Sequence, residues 1–206
     1  MPRHEKISSM NDLKGKRVGI WKVGFGDYAL MVDKEHNLEI EWIPFVQNIN
    51  LFISGVIDAT LAMSYNEILQ IRAAGYDIST AISIADEGYD FPEDGLYVSE
   101  DYFRNNPQTV KAFADASRKG WEWAQEHPEE TLEIVMEKTH SNNIATNRTH
   151  QKWMLEEVLK LNKDTEIGTA TYTLKSDQVR RLSDLLVKHG MISKPVTYET
   201  ITGQTL

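Results

Sequence analysis

The sequence predicts an α/β fold, a mostly parallel sheet with helices on both faces, followed by a helix-rich C-terminal segment. Three observations carry that expectation. Short apolar runs alternate with amphipathic ones through the first hundred residues, which is the pattern of βαβ units whose right-handed crossovers make strands parallel. Beyond an acidic, turn-rich stretch at 86–95, helical spacing takes over. A chain of 206 residues with 41% hydrophobic and 26% charged side chains has a globular composition and buries a core without staples.

The elements follow in order. Residues 16–21 form a short apolar strand that runs into Val23-Gly24-Phe25-Gly26-Asp27, a glycine turn and then a helix start. From Asp27 to His36, Leu30, Met31 and Val32 share one helical face. A second strand over 39–45 alternates Ile40 and Trp42 and ends on Pro44. Asn48 is placed to cap a short helix through Leu51, Phe52 and Ile53 that Gly55 terminates, and 58–63 reads as a third, buried strand. Ser64-Tyr65-Asn66-Glu67 has the spacing of a capping box, with Ser64 at the N-cap and Glu67 at the third position of a helix that runs to Gly75. Residues 78–85 supply a fourth strand and 96–98 one more.

Helices account for the remainder. Asn106-Pro107 opens one that keeps Val110, Phe113, Ala114, Ser117, Trp121 and Ala124 on one face, and His127-Pro128-Glu129-Glu130 starts the next with proline and acids in its first turn. Two more lie around 153–161 and 179–186, the latter stopped by Gly190, and the tail from Ser193 is weakly patterned. The expected division is 1–11 as a leader or cloning remnant, 12–126 as an α/β part and 127–206 as a helical segment.

Composition removes several function classes. With Lys+Arg 22 against Asp+Glu 31 the formal net charge is -9, so a nucleic-acid partner is not expected. The absence of cysteine excludes thiol nucleophiles, Cys-ligated zinc, iron–sulfur clusters and disulfides, and suits cytosol and periplasm alike. No apolar run approaches the roughly 18–20 residues of a membrane span, so direct membrane insertion is not expected, and residues 1–10 lack the apolar stretch of a secretory signal. The six histidines show no H-x-x-x-H or H-E-x-x-H spacing, no G-x-S-x-G elbow occurs, and 86–94 lacks calcium-loop spacing. The expectation is therefore a protein with no catalytic residues, no metal and no cofactor.

Gly24-Phe25-Gly26-Asp27-Tyr28-Ala29 matches G-x-G-x-x-A after a strand, but the acid expected about 20 residues on would fall near Pro44-Phe45-Val46, where none stands. A dinucleotide site is disfavoured, which leaves a plain turn or a small-ligand loop whose free N–H groups hold an acceptor. Ser64–Glu67 is likewise a cap alone or part of a crevice. If the first three strands are parallel, their ends deliver Phe25, Asp27, Tyr28, Gln47, Asn48, Tyr65, Asn66 and Glu67 toward one edge, with Trp21 near the same crevice. Aromatic faces with amide and carboxylate edges suit a flat, polar heterocycle. Trp42 also lies near that crevice, whereas Trp121, Trp123 and Trp153 sit on helices, where packing is their expected role.

Asp12-Leu13-Lys14-Gly15-Lys16-Arg17-Val18-Gly19 resembles the opening of the second lobe in type II solute-binding proteins of ABC importers. Ser54-Gly55-Val56-Ile57-Asp58-Ala59 resembles that family's step into its third strand, and Asn106-Pro107 through Phe113 its N-P-x-x-V-x-x-F helix. The segments from Phe91 to Tyr97 and from Gly120 to Glu130, with Tyr65-Asn66-Glu67, are similar to the branch that handles the pyrimidine precursor of thiamine. The resemblance implies a periplasmic or extracytoplasmic protein that closes on a small heterocycle and is read by a transporter permease. The resemblance makes 12–126 the ligand-binding lobe and lets 127–206 either pack on it or belong to an incomplete first lobe. The expected ligand residues are Trp21, Gly24, Phe25, Gly26, Asp27, Tyr28, Gln47, Asn48, Tyr65, Asn66 and Glu67, of which Tyr65, Asn66 and Glu67 match the branch's ligand segment. Family members carry another lobe before the position of Asn11, so half of the usual site is expected to be missing, with exposed cleft walls favouring a homodimer. Alternatives in the same fold are a ligand-sensing domain of a signalling protein and a pyrimidine-forming enzyme. The second is disfavoured by the lack of cysteine, because the fungal enzymes use a cysteine-rich motif and a lysine-bound pyridoxal cofactor.

Overall fold

A computed structural model of the chain describes residues 7–22, 26–45, 49–92, 94–162 and 172–203. The chain divides into two compact units, Met1–Asp90 and Phe91–Leu206. The first holds a small parallel sheet and the second is built from helices, so the fold class is α/β.

In the first unit, strand β1 (Arg17–Trp21) buries Val18, Gly19 and Ile20 in succession, as a strand covered on both faces must. It is central in a three-stranded parallel sheet of order β2-β1-β3, with β2 (Glu41–Phe45) and β3 (Ala59–Thr60) at its sides. Arg17 is in register with Glu41 and Trp21 with Phe45, while Val18 and Gly19 face Ala59 and Thr60. Pro44, which has no N–H to give a ladder, is accommodated because β2 pairs on one side only among the described residues.

Helix α1 (Gly26–His36) buries Ala29, Met31 and Val32. Asp33 ties it to β2 by accepting from Trp42 Nε1 at 2.9 Å and from the Ile40 N–H at 3.3 Å. Tyr89, itself buried, donates its hydroxyl to the Glu35 carboxylate and pins the stretch after residue 84 to the same helix. Burial, with that carboxylate beside it, pushes the Tyr89 hydroxyl pKa far up, so the phenol stays protonated. Helix α2 (Asn50–Ile53) has Ile49 at its N-cap position, not Asn48, and Gly55 follows it at φ 75°. Tyr76, beyond α3 (Glu67–Ala73), donates to the Ile53 carbonyl at 2.8 Å and packs its ring 5.5 Å from Phe52.

At the N-terminal end of the sheet Asp58 grips Arg17 three times. Its carboxylate accepts from the Arg17 backbone N–H at 2.9 Å, from Nε at 3.2 Å and from Nη2 at 3.0 Å. The Arg17 hydrogen bond holds the Asp58 carboxyl below the usual carboxylate range. A depressed folded-state pKa means the stabilisation is complete above the unfolded value near 4 and is lost as pH falls through the folded one. Wild type is therefore expected to outlast Asp58→Asn in urea at pH 7, by a margin that closes as pH drops below about 4. A margin that stays constant down to pH 2 would show that this ion pair contributes nothing.

Three strand expectations fail in this unit and its border. β3 spans two residues where six were expected, although the Leu61 N–H still bonds to the Gly19 carbonyl at 2.9 Å. Residues 78–85 form turns instead of a strand, because Asp77 accepts from both the Ser79 N–H at 2.9 Å and its hydroxyl at 2.8 Å. The Ala81 N–H closes back on the Ile78 carbonyl at 3.1 Å. Local side-chain bonds thus outcompete the ladder. Residues 96–98 are no strand either, with Tyr97 80% exposed.

In the second unit α5 (Pro107–Glu126) and α6 (Pro128–Ser141) begin at the expected prolines. α7 (Arg148–Leu161) and α8 (Ser176–Lys188) extend the two remaining expectations. Two short helices were not foreseen. In α4 (Glu100–Asn105) the Ser99 hydroxyl caps the Tyr102 N–H, and in α9 (Tyr198–Thr202) Thr197 caps the Thr200 N–H. Leu132 and Leu159 are buried, Gln125 Nε2 donates to the Leu159 carbonyl at 2.9 Å, and Ser183 holds the tail by accepting from the Val196 N–H at 2.7 Å. The apolar face expected of α5 is buried only at Ala124, and Phe113 is 64% exposed. Among the described residues no helix is long and apolar enough to cross a membrane.

Candidate functional site

Parallel strands end at the same edge of their sheet, and here that edge carries chemistry. Trp21 closes β1, Phe45 closes β2 opposite it in register, and Thr60 closes β3. From β1 the chain passes to Gly26, Asp27 and Tyr28 at the start of α1; from β3 it passes to Tyr65, Asn66 and Glu67 at the start of α3. Gly24, Phe25, Gln47 and Asn48, also expected here, lie outside the described residues.

Gly26 is where α1 meets β1: a Cβ there would stand 3.1 Å from Ile20 Cδ1, so the glycine lets the helix start close against the strand. Asp27 is exposed in the first helical turn, where a negative charge suits the helix dipole, and Tyr28 is half-buried. The Trp21 and Phe45 rings pack 4.6 Å apart at 52°. The Trp21 indole N–H is buried and, among the described residues, meets no acceptor. A buried donor left without a partner costs about 1–3 kcal/mol, so it demands an explanation.

The capping box expected of Ser64 and Glu67 does not form. The chain turns over 64–66, with the Asn66 N–H on the Met63 carbonyl at 3.1 Å, so Asn66 takes the N-cap position and Glu67 becomes the first helical residue. Glu67 is 3% exposed, and its carboxylate reaches back to the Met63 N–H at 2.9 Å and sideways to Asn66 Nδ2 at 3.0 Å. Asn66 Oδ1 in turn accepts from Gln70 Nε2 at 2.9 Å. Among the described residues no Lys, Arg or His pairs with Glu67, so two N–H donors alone offset the desolvation of its carboxylate. Each oxygen retains acceptor capacity for one further donor. Tyr65 is half-buried beside this network.

Sequence reasoning missed Phe45 and Gln70. Phe45 becomes visible once Arg17 is set opposite Glu41, because that register puts the two strand-end rings side by side. Gln70 stands four residues after Asn66, the spacing at which helical side chains meet. Among the described residues no group of three or more His, Asp or Glu side chains is placed to hold a metal ion.

A small parallel α/β domain with aromatic, amide and carboxylate groups at the carboxyl edge of its strands has the architecture in which such sheets place ligand crevices. The family described as NMT1/THI5 like matches residues 1–131, and the chain belongs to that family. It is 25% identical over 138 residues to the riboflavin-binding protein RibY of Chloroflexus aurantiacus (strain ATCC 29366 / DSM 635 / J-10-fl). That alignment takes in 64% of this chain and 38% of RibY, so the chain spans under two fifths of its relative's length. No solved structure matches the chain.

Proposed function

We propose that this chain forms one wall of a binding site for a planar heterocycle in an extracytoplasmic solute-binding protein. The observation that carries the reading is the strand-end edge, where a tilted Trp21–Phe45 ring pair shares the sheet edge with the buried Glu67 carboxylate; among the described residues the Trp21 N–H has no acceptor and the carboxylate no counter-ion. Rings offer a stacking surface, while the N–H and the carboxylate offer a donor and an acceptor to a ligand's rim. A family of NMT1/THI5-like proteins and a relative named for riboflavin binding support a flat, nitrogen-rich ligand. In this reading no bond is made or broken. Residues 12–126 act as the ligand-binding lobe, and ligand contacts to an opposing lobe favour a closed state that the permease of an ABC importer reads.

A thermal-shift screen tests it with four ligand classes: riboflavin-like rings, pyrimidines, sulfonates and amino acids. Stabilisation follows RT ln(1 + [L]/Kd), so a ligand at 100 times its Kd adds about 2.7 kcal/mol. A ring class is expected to raise Tm in a concentration-dependent way, with sulfonates and amino acids inert. Stabilisation by amino acids or sulfonates with no response to any ring contradicts the proposal.

A further inference from the structure

Within the first unit two tryptophans of neighbouring strands are treated differently. Trp42 Nε1 is satisfied by the Asp33 carboxylate at 2.9 Å, a bond that ties β2 to α1. Trp21 Nε1 is a buried donor, yet among the described residues no acceptor reaches it. The difference follows position. Trp42 pairs with Val18 in the body of the sheet, whereas Trp21 is the last residue of the central strand, at the carboxyl edge where parallel sheets receive ligands. The Phe45 ring, 4.6 Å away, limits the freedom of the Trp21 ring. Of the acids on this edge, Glu67 is engaged by the Met63 N–H and Asn66 Nδ2 while Asp27 is exposed in the first turn of α1, and the Thr60 hydroxyl donates to the Leu61 carbonyl at 3.1 Å.

We infer that Trp21 is a specificity-determining residue whose indole N–H selects planar heterocycles presenting a ring carbonyl or ring nitrogen acceptor over rings that carry donors only. This inference rests on the heterocycle-binding reading above. The physical ground is asymmetric: an acceptor that meets the N–H removes the penalty of an unpaired buried donor, whereas a ring edge made of N–H groups opposes donor to donor. Sites built to hydrogen-bond one group reject analogues that lack it far more strongly than apolar pockets reject a missing methylene.

Titration calorimetry of the full chain tests the inference with riboflavin, whose ring edge carries carbonyl and ring-nitrogen acceptors, and indole, which carries a donor only. Each is titrated into wild type and Trp21→Phe, a variant that keeps an aromatic face and loses the N–H. Wild type is expected to bind riboflavin and not indole, and Trp21→Phe to bind riboflavin about tenfold more weakly. Nitrogen-edited NMR gives a second readout that does not depend on how well the variant packs. The Trp21 indole cross-peak, assigned by its loss in Trp21→Phe, is expected to move downfield when riboflavin is added to wild type. Riboflavin binding that leaves this peak unmoved and is equally tight in Trp21→Phe overturns the inference while sparing the heterocycle reading; a peak already hydrogen-bonded without ligand, and unmoved by it, assigns the N–H to a buried water and overturns it too. Failure of wild type to bind any planar ring removes the heterocycle reading itself and the inference with it.

Discussion

Gly19→Ala is expected to lower the unfolding free energy by about 1–3 kcal/mol, and Gly19→Val by more, because a side chain at the centre of β1 must displace tightly packed neighbours. A Cβ on Gly19 would stand 2.7 Å from Thr60 Oγ1, 2.8 Å from Ile57 Cδ1 and 3.2 Å from Phe45 Cδ1. Two of these are closer than real Cβ contacts come, so the side chains of Thr60 and Ile57 must shift. Ile57 is 2% exposed and has little room to yield. Trimming the obstruction offers a control: Ile57→Val removes the Cδ1 atom, and in the double variant Gly19→Ala/Ile57→Val the penalty is expected to be less than the sum of the two single ones. Urea denaturation of the four proteins measures this. Gly19→Ala as stable as wild type would mean that the side chains of Thr60 and Ile57 are not packed against Gly19 as tightly as described.

The second large effect concerns Glu67. Glu67→Leu leaves the Met63 N–H and Asn66 Nδ2, two part-buried donors, facing an apolar side chain, at a cost of up to about 1–3 kcal/mol each. Glu67→Gln keeps one acceptor and turns an N–H toward the other donor, so a loss of about 1–3 kcal/mol is expected where a true capping box would have accepted glutamine readily. If Glu67 also serves a ligand, Glu67→Gln further weakens a ring bearing an amino group, measured at a temperature where the variant is folded. Denaturation midpoints equal for wild type and Glu67→Gln would show that the buried network is not formed as described.

The contrast between these two residues shows what was legible in the sequence. The run through Val18, Gly19 and Ile20 into a glycine turn and an amphipathic stretch made β1 and α1 readable, because each cue was local and pointed the same way. The parallel edge followed from strands alternating with helices. Residues 78–85 and 96–98 carry apolar composition just as strong, but a strand also needs a partner. The Asp77–Ser79 turn and the exposure of Tyr97 mark where that condition fails. Glu67 matched a motif in spacing and departed from it in geometry, since spacing does not register the turn over 64–66 that carries its carboxylate back to Met63. The unmatched Trp21 N–H was invisible for the same reason, as hydrogen-bond satisfaction is a property of packing. α4 was overlooked although its signals are in plain view, a serine cap at Ser99 followed by Glu100 and Asp101.

The claim that the carboxyl edge of the sheet binds a planar heterocycle is tested most directly by mapping backbone and indole chemical-shift changes while the best-responding ring is titrated into the chain. The largest changes are expected at Trp21, at Gly26 and Tyr28, and at Tyr65 and Asn66, which follow the ends of β1 and β3, with Arg17 and Asp58 at the opposite end of the sheet unmoved. Changes centred on Arg17 and Asp58, with the strand-end residues silent, would contradict the account.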